Sequence, residues 1–313
     1  MTDDARPVWV LGGGGVAGIA WETGILAGLA DEGVTVSPEA VLVGTSAGAV
    51  VGAQISSGTP LTELFERQRE GVAHETSATL GFLDLLRLAR AQLFARSPEQ
   101  AARRLGRLAL SARIDDPSRH RRIAEARLPD HAWKDADLRI IVVDTESGAS
   151  RTITRHDDVP LVDAVAASCA MPTSAAPVAI EGRRYMDGGM RSTLNLDLAP
   201  GDGPVIALAP STAAIGPWAR IDKQRAALGT GRRVELLLRD AASKRAQGAS
   251  VMDRSIVPAL VSAARDQGRR EASRVAAALS TASHPSRRRV RRPTASNKPL
   301  PGSGIAELTP PGP

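Results

Sequence analysis

Aromatic residues are scarce in this sequence: Phe, Trp and Tyr together make up 3% of its 313 residues. A core of stacked rings is therefore excluded, and the 42% of apolar residues must pack as Ala, Val, Leu and Ile. There is one cysteine, Cys169, which excludes an internal disulfide and suits a reducing compartment. No apolar run is long enough to span a bilayer. The segment "MTDDARPVWVLGGGG" shows no basic stretch ahead of a long apolar one, so no secretory signal is expected. These absences together give an expected cytoplasmic location.

The formal charge of +6 is unevenly spread. From His284 onward there are six Lys/Arg and one Glu, which leaves residues 1–283 close to neutral. The same segment holds seven of the 21 prolines. Such a composition buries too little apolar surface to offset its ordering entropy, so residues 284–313 are expected to form a disordered basic tail. Its arginines suit peripheral contact with an anionic membrane. It has no aromatics to stack on bases, and no specific nucleic-acid partner is expected.

The first 60 residues read as strand–loop–helix twice over. Pro7 to Leu11 is a short apolar run broken by glycines, and residues 18–32 then carry apolar positions at helical spacing. Ala40 to Val43 is a second strand, followed by a small-residue helix over residues 47–55. This pattern predicts an α/β domain with a mostly parallel sheet, spanning residues 1–283. Residues 60–128 read as helical throughout, an insertion or cap over the sheet. Leu138 to Glu146 is a strand with "RTITR" beside it. "PLVDAVAASCAMP" reads as a helix ending near Met171. "APVAIEGRRYM" reads as two strands about a Glu-Gly turn, and "PVIALAP" as a further strand. Residues 219–280 read as amphipathic helix, with "RRVELLLRD" as a helix whose outer face is charged. No fixed-period repeat is present.

Three glycine-bearing motifs carry the chemistry. Gly13 to Gly18, "GGGVAG", follows a strand and opens a helix, where closely spaced amides attract negative charge. That charge could be a nucleotide pyrophosphate or a transient oxyanion. The nucleotide reading wants a carboxylate at the end of the second strand. That strand instead ends in Gly44-Thr45-Ser46-Ala47-Gly48, the spacing of a nucleophile elbow at a strand-to-helix junction. The third motif is Asp187-Gly188-Gly189. On its own it is a turn; beside a serine nucleophile it supplies a candidate base.

In this order and combination the motifs resemble those of the patatin-like phospholipase family. "LGGGGVAGIAWETGILAGL" and "LVDAVAASCAMPTSAAPVAIEGRRYMDGG" extend the similarity over roughly residues 8–210. The resemblance implies a three-layer α/β/α sandwich and a serine acyl hydrolase that cleaves lipid esters of phospholipid or lysophospholipid type. It implies Ser46 as nucleophile, Asp187 as general base and the amides of Gly13, Gly14 and Gly15 as the oxyanion hole. Gly18, Gly44, Gly48, Gly188 and Gly189 are the motif glycines. No metal or organic cofactor is implied, and the oligomeric state is left open. Two positions depart from the family pattern. Ala17 stands where Arg or Lys is usual, which keeps a weakened lipid-binding relative in view. Thr193 stands where Asn is frequent, with Asn195 two positions on. The histidines, His74, His120, His131, His156 and His284, read as surface or packing residues. Cys169 reads as an inert buried thiol, and His156-Asp157-Asp158 as a loop rather than a metal site.

Overall fold

The computed structural model describes residues 5–70, 95–214, 216–248 and 251–280, together with Gly312. By contacts the chain divides into one unit over residues 1–283 and another over 284–313. The predicted disorder of the tail, its membrane contact, and the readings of His74 and His284 fall outside the described residues.

Among the described residues eight strands join in one sheet: β1 (Val8–Leu11), β2 (Val41–Gly44), β3 (Asp137–Asp144), β4 (Ser150–Ile153), β5 (Val178–Ile180), β6 (Arg183–Asp187), β7 (Val205–Ala209) and β8 (Val234–Leu238). The hydrogen-bonded order is β5-β6-β3-β2-β1-β7-β8, with β4 on β3. β3, β2, β1, β7 and β8 run parallel, while β4, β6 and β5 add antiparallel pairs. β1, β2 and β7 are buried at every position, as strands covered on both faces must be.

The alternation of side chains along the strands separates the two faces. Trp9, Leu11, Leu42, Ile140, Val142 and Leu208 point to one side. There they meet α1 (Gly15–Asp31), α2 (Ala47–Ser56), α5 (Arg119–Arg127), α6 (Leu161–Ser168) and α9 (Val257–Ser280). α3 (Leu61–Glu70) adds Phe65 to the same layer. Val8, Val10, Val43, Ile141 and Ala207 point the other way, onto residues 194–199 and α7 (Ile221–Ala227). Val143 and Met186 continue that second face onto α4 (Pro98–Ser111). The result is the three-layer α/β/α arrangement with a mostly parallel sheet. Trp9 and Trp21 are among the largest fully buried side chains. The Trp21 Nε1–H donates to Gln267 Oε1 at 3.1 Å, tying α1 to α9.

Three readings of local structure are corrected. "VELLL" is the strand β8 rather than part of a helix, and α8 (Ala241–Gln247) and α9 follow it as separate helices. The helix α6 stops at Ser168, so Cys169 caps it rather than lying within it. The described helices of residues 60–128 do not form one cap: α3 and α5 pack on one face of the sheet and α4 on the other. "FLDLLRLARAQLF" lies outside the described residues. No helix among the described residues is long and apolar enough to cross a membrane.

Candidate active site

The register of β3 explains how two residues 141 positions apart come together. At Ile140, β3 is paired with β2 on one edge and β4 on the other. At Val142 it is paired with β4 and β6. Since β4 holds the same edge throughout, β2 and β6 must share the opposite edge. β2 leaves that edge at Gly44, opposite Ile140, and antiparallel β6 arrives on it with Asp187 opposite Val142. The two strands meet nearly end to end, and the residues just past their junction face each other.

The Ser46 hydroxyl donates to Asp187 Oδ2 at 2.9 Å. Ser46 sits at φ +53°, ψ −111°, a conformation that L residues rarely adopt and that costs of order 1–3 kcal/mol. The flanking glycines permit the bend. A Cβ on Gly48 would lie 2.0 Å from the Leu11 carbonyl oxygen, and one on Gly44 would lie 2.6 Å from the Gly48 carbonyl oxygen. Helix α2 therefore rests directly on the ends of β1 and β2. The backbone of Ser46 is held on both sides. Its N–H donates to Ser168 Oγ at 2.9 Å, and Ser168 passes its own proton to the Ile141 carbonyl at 2.8 Å. The Ser46 carbonyl accepts from the Cys169 thiol at 3.2 Å. Burial and the Asp187 charge push that thiol up to about 12, which suits a donor and not a nucleophile.

Asp187 is 3% exposed. Its Oδ1 accepts from the Gly189 N–H at 2.7 Å, which leaves Oδ2 to the serine. Burial raises its pKa to about 6, against the two hydrogen bonds that favour the charged form. A carboxylate so placed is ionised at neutral pH yet basic enough to take a proton from a hydroxyl during attack. Gly188 and Gly189 begin a short 3-10 turn. Asn195, in a left-handed conformation at φ +52°, binds this turn to the elbow. Its Nδ2 donates to Thr45 Oγ1, the Gly188 carbonyl and the Ser192 carbonyl. The amide at 195 thus makes bonds to both motif loops.

The glycine loop follows β1 on the same side of the sheet, at the carboxyl ends of the parallel strands. Gly18 N–H closes onto the Gly14 carbonyl to start α1. Gly13 is a poorer oxyanion donor than expected, because its N–H is held by the Thr193 carbonyl at 2.6 Å. The amides of Gly14 and Gly15 have no hydrogen-bond partner among the described residues, and Gly15 lines the cleft with Ser46. α1 and α2 both begin at this cleft, so two helix N-termini favour negative charge there. Ala17 is fully buried, and its N–H donates to the Val251 carbonyl at 3.0 Å.

The cleft is small, with a volume of about 80 Å³, and opens to solvent. Val16, Ile19, Ile123, Met171 and Met252 give it an apolar wall, and Arg119, Arg127 and Arg254 also line it. Sequence reasoning missed these arginines, since nothing in their local pattern sets them apart from the other surface-type arginines. His120 is in the cleft as well. Its Nε2 lies 3.1 Å from the Ala166 carbonyl and so carries the proton. Burial and the charges of Arg127 and Arg119 lower its pKa to about 4, which keeps it neutral. His156 lies with Arg6 and Asp137 at the opposite ends of the strands, remote from Ser46. Among the described residues no group of His, Cys, Asp and Glu is arranged to hold a metal ion.

No functionally curated protein matches the chain. Among solved structures, VipD from Legionella pneumophila is similar over 71% of this chain and 52% of its own, with 13% identity and a TM-score of 0.35. The type III effector protein ExoU is similar over 87% of this chain and 53% of its own, with 14% identity and a TM-score of 0.38. The chain thus spans about half the length of each. The sequence profile described as patatin-like phospholipase matches residues 9–200, from β1 through the Asp187 and Asn195 loops. The chain belongs to the patatin-like phospholipase family.

Proposed function

We propose that this chain is a serine acyl hydrolase acting on lipid esters of phospholipid or lysophospholipid type through a Ser46–Asp187 dyad. The observation that carries the reading is the 2.9 Å hydrogen bond from Ser46 Oγ to a buried carboxylate, made at a strained elbow beside unpartnered amides.

In the first step Asp187 Oδ2 accepts the Ser46 proton as Oγ attacks the ester carbonyl. The carbonyl oxygen becomes an oxyanion facing the amides of Gly14 and Gly15; a single such donor is worth on the order of 10²–10³ in rate. Collapse expels the alcohol, which takes the proton from Asp187, and leaves Ser46 acylated. Water then attacks the acyl carbon and gives its proton to Asp187. The fatty acid leaves and the Ser46 hydroxyl re-forms. Histidine is not needed: His120, the histidine lining the cleft, has its Nε2 engaged with a backbone carbonyl. Strain at Ser46 holds Oγ ready for attack, and Ser168 fixes the peptide that carries it. The apolar wall of the cleft suits an acyl chain.

Ser46→Ala should abolish p-nitrophenyl ester hydrolysis and covalent labelling by a fluorophosphonate, with an unchanged circular dichroism spectrum. Full activity in the purified variant would refute the assignment. A folded wild-type protein that neither labels nor turns over esters would instead favour the weakened lipid-binding relative suggested by Ala17.

A further inference from the structure

A second cavity opens at the same end of the sheet as the dyad. β7 and β8 run parallel, and their last residues, Ala209 and Leu238, are partners in the ladder. The loops that follow them therefore start side by side, at the carboxyl ends of the parallel strands, where open α/β sheets bind ligands. These loops and α8 line a cavity of about 350 Å³, several times the volume of the cleft at Ser46. Among the described residues its lining includes two cations, Arg239 and Lys244, and no carboxylate.

The backbone that presents Arg239 is fixed. The Leu238 carbonyl accepts from Gln267 Nε2 at 2.7 Å, and the Asp240 N–H donates to Gln267 Oε1 at 3.2 Å. One buried amide thus brackets the residue on both sides. The guanidinium itself lacks what a half-buried cation ordinarily has. Its Nη1 is closed off from solvent and has no hydrogen-bond partner among the described residues. Asp240, next in the chain, is committed elsewhere: Oδ1 accepts from the Ser243 N–H and Oδ2 from Arg270, each at 2.7 Å. Desolvation lowers the Arg239 pKa from its ordinary value, and no carboxylate acts to raise it. Lys244 makes no ion pair among the described residues. Ser211 Oγ accepts from the Ala213 N–H at 3.1 Å, which leaves its own proton to give.

We propose that this cavity is a phosphate-binding site, filled by the phosphate of a lipid headgroup or of a soluble phosphate ester, with Arg239, Lys244 and Ser211 as its donors. A guanidinium fork, an ammonium and a hydroxyl offer more donors than the two oxygens of a carboxylate use, whereas a phosphate monoester brings three oxygens and the larger charge. The remaining volume takes the group that carries the phosphate. The site borders the catalytic machinery. Pro210 lines the cavity, and a Cβ on Gly14 would lie 2.7 Å from the Pro210 Cβ. The carbonyl of Ala213, another lining residue, accepts from Thr193 Oγ1 at 3.2 Å, and the Thr193 carbonyl holds the Gly13 N–H. The phosphate site and the glycine loop therefore share the Pro210 wall.

The test uses the full chain with Ser46→Ala, so that binding is read without ester turnover. Titrated by calorimetry with glycerol phosphate, glycerol and acetate, it should bind the first about tenfold or more tightly than the other two. Adding Arg239→Gln should weaken glycerol phosphate binding by about tenfold. Lys244→Gln, at an exposed helical position where the fold tolerates change, should weaken it by about threefold. Dihexanoyl phosphatidic acid separates the two sources. A gain of about tenfold over glycerol phosphate, lost with Arg239→Gln, identifies a lipid headgroup. Equal affinity of the two identifies a soluble ester, and both results support the site. Acetate binding as tightly as glycerol phosphate overturns it, as does glycerol phosphate binding that neither substitution weakens. None of these readings depends on catalysis, so the hydrolase reading stands or falls separately, on the labelling and turnover of wild type.

Discussion

Replacing Asp187 by Asn should give a protein that is inactive yet more stable at neutral pH. Asn keeps the size of the side chain and an oxygen that can accept from Gly189 N–H, while its amide can donate to Ser46 Oγ in reverse. What changes is the charge. Burial raises the Asp187 pKa from 3.8 to about 6, which at about 1.4 kcal/mol per pH unit amounts to about 3 kcal/mol. The sign follows from proton counting. Below pH 3.8 the carboxyl is protonated in both folded and unfolded chains and contributes no difference. Between 3.8 and about 6 the unfolded chain ionises while the folded one keeps its proton, so rising pH favours unfolding. Above that range the full penalty of about 3 kcal/mol persists. The Asn variant escapes it.

Thermal unfolding of wild type and Asp187→Asn, followed by circular dichroism at pH 4, 5, 7 and 8, reads this directly. The gap in favour of the variant should open with pH and level off above about pH 6, reaching about 6 °C at roughly 2 °C per kcal/mol for a chain of this size. The same carboxyl should govern catalysis with the opposite benefit. Wild-type kcat/KM on a p-nitrophenyl ester should be half-maximal near pH 6 and fall to about a tenth of its plateau one pH unit below. A gap independent of pH, or a variant that loses ground as pH rises, would show that Asp187 is not a desolvated carboxylate. The assignment of the base would fall with it.

Three further outcomes are expected. Ser168→Ala removes the acceptor of Ser46 N–H and the donor to the Ile141 carbonyl, leaving two polar groups without their partner at a part-buried site; stability should drop by about 1–3 kcal/mol and kcat by roughly tenfold or more, and a normal kcat would show that the elbow holds itself. Glu22 is fully buried, and neither carboxylate oxygen has a partner among the described residues. Desolvation raises its pKa well above the ordinary glutamate range. Glu22→Gln should therefore gain stability over wild type as pH rises above that range, and urea titrations at pH 5 and 8 that gave the same difference would contradict it. Gly48→Ala places a Cβ 2.0 Å from the Leu11 carbonyl oxygen, so a loss of about 3 kcal/mol or more is expected, visible as a lower unfolding midpoint or insolubility; an unchanged midpoint would refute the close contact.

The parts of this molecule that are legible in its sequence are those where a backbone constraint dictates residue type. Gly44 and Gly48 must be small because a helix starts against two strand ends, and that requirement is local enough to leave a pattern. The buried strands β1, β2, β3 and β7 show as short apolar runs because both faces of the sheet are covered. β8 was hidden for the opposite reason. As an edge strand it pairs on one side only, ends in the exposed Leu238 and is flanked by arginines. Over five residues, "VELLL" satisfies a helical period as readily as an extended one. The engagement of the Gly13 amide was hidden because its partner, the Thr193 carbonyl, is 180 positions away and is a backbone atom that every residue possesses. The arginines of the cleft were illegible in the same way: only the fold brings α5 and residues 251–254 to the cleft that Ser46 lines, and with them three of the chain's many arginines. Motifs therefore reveal the residues that need special backbone geometry. The groups that line the cleft around them need only proximity, and proximity is a property of the fold.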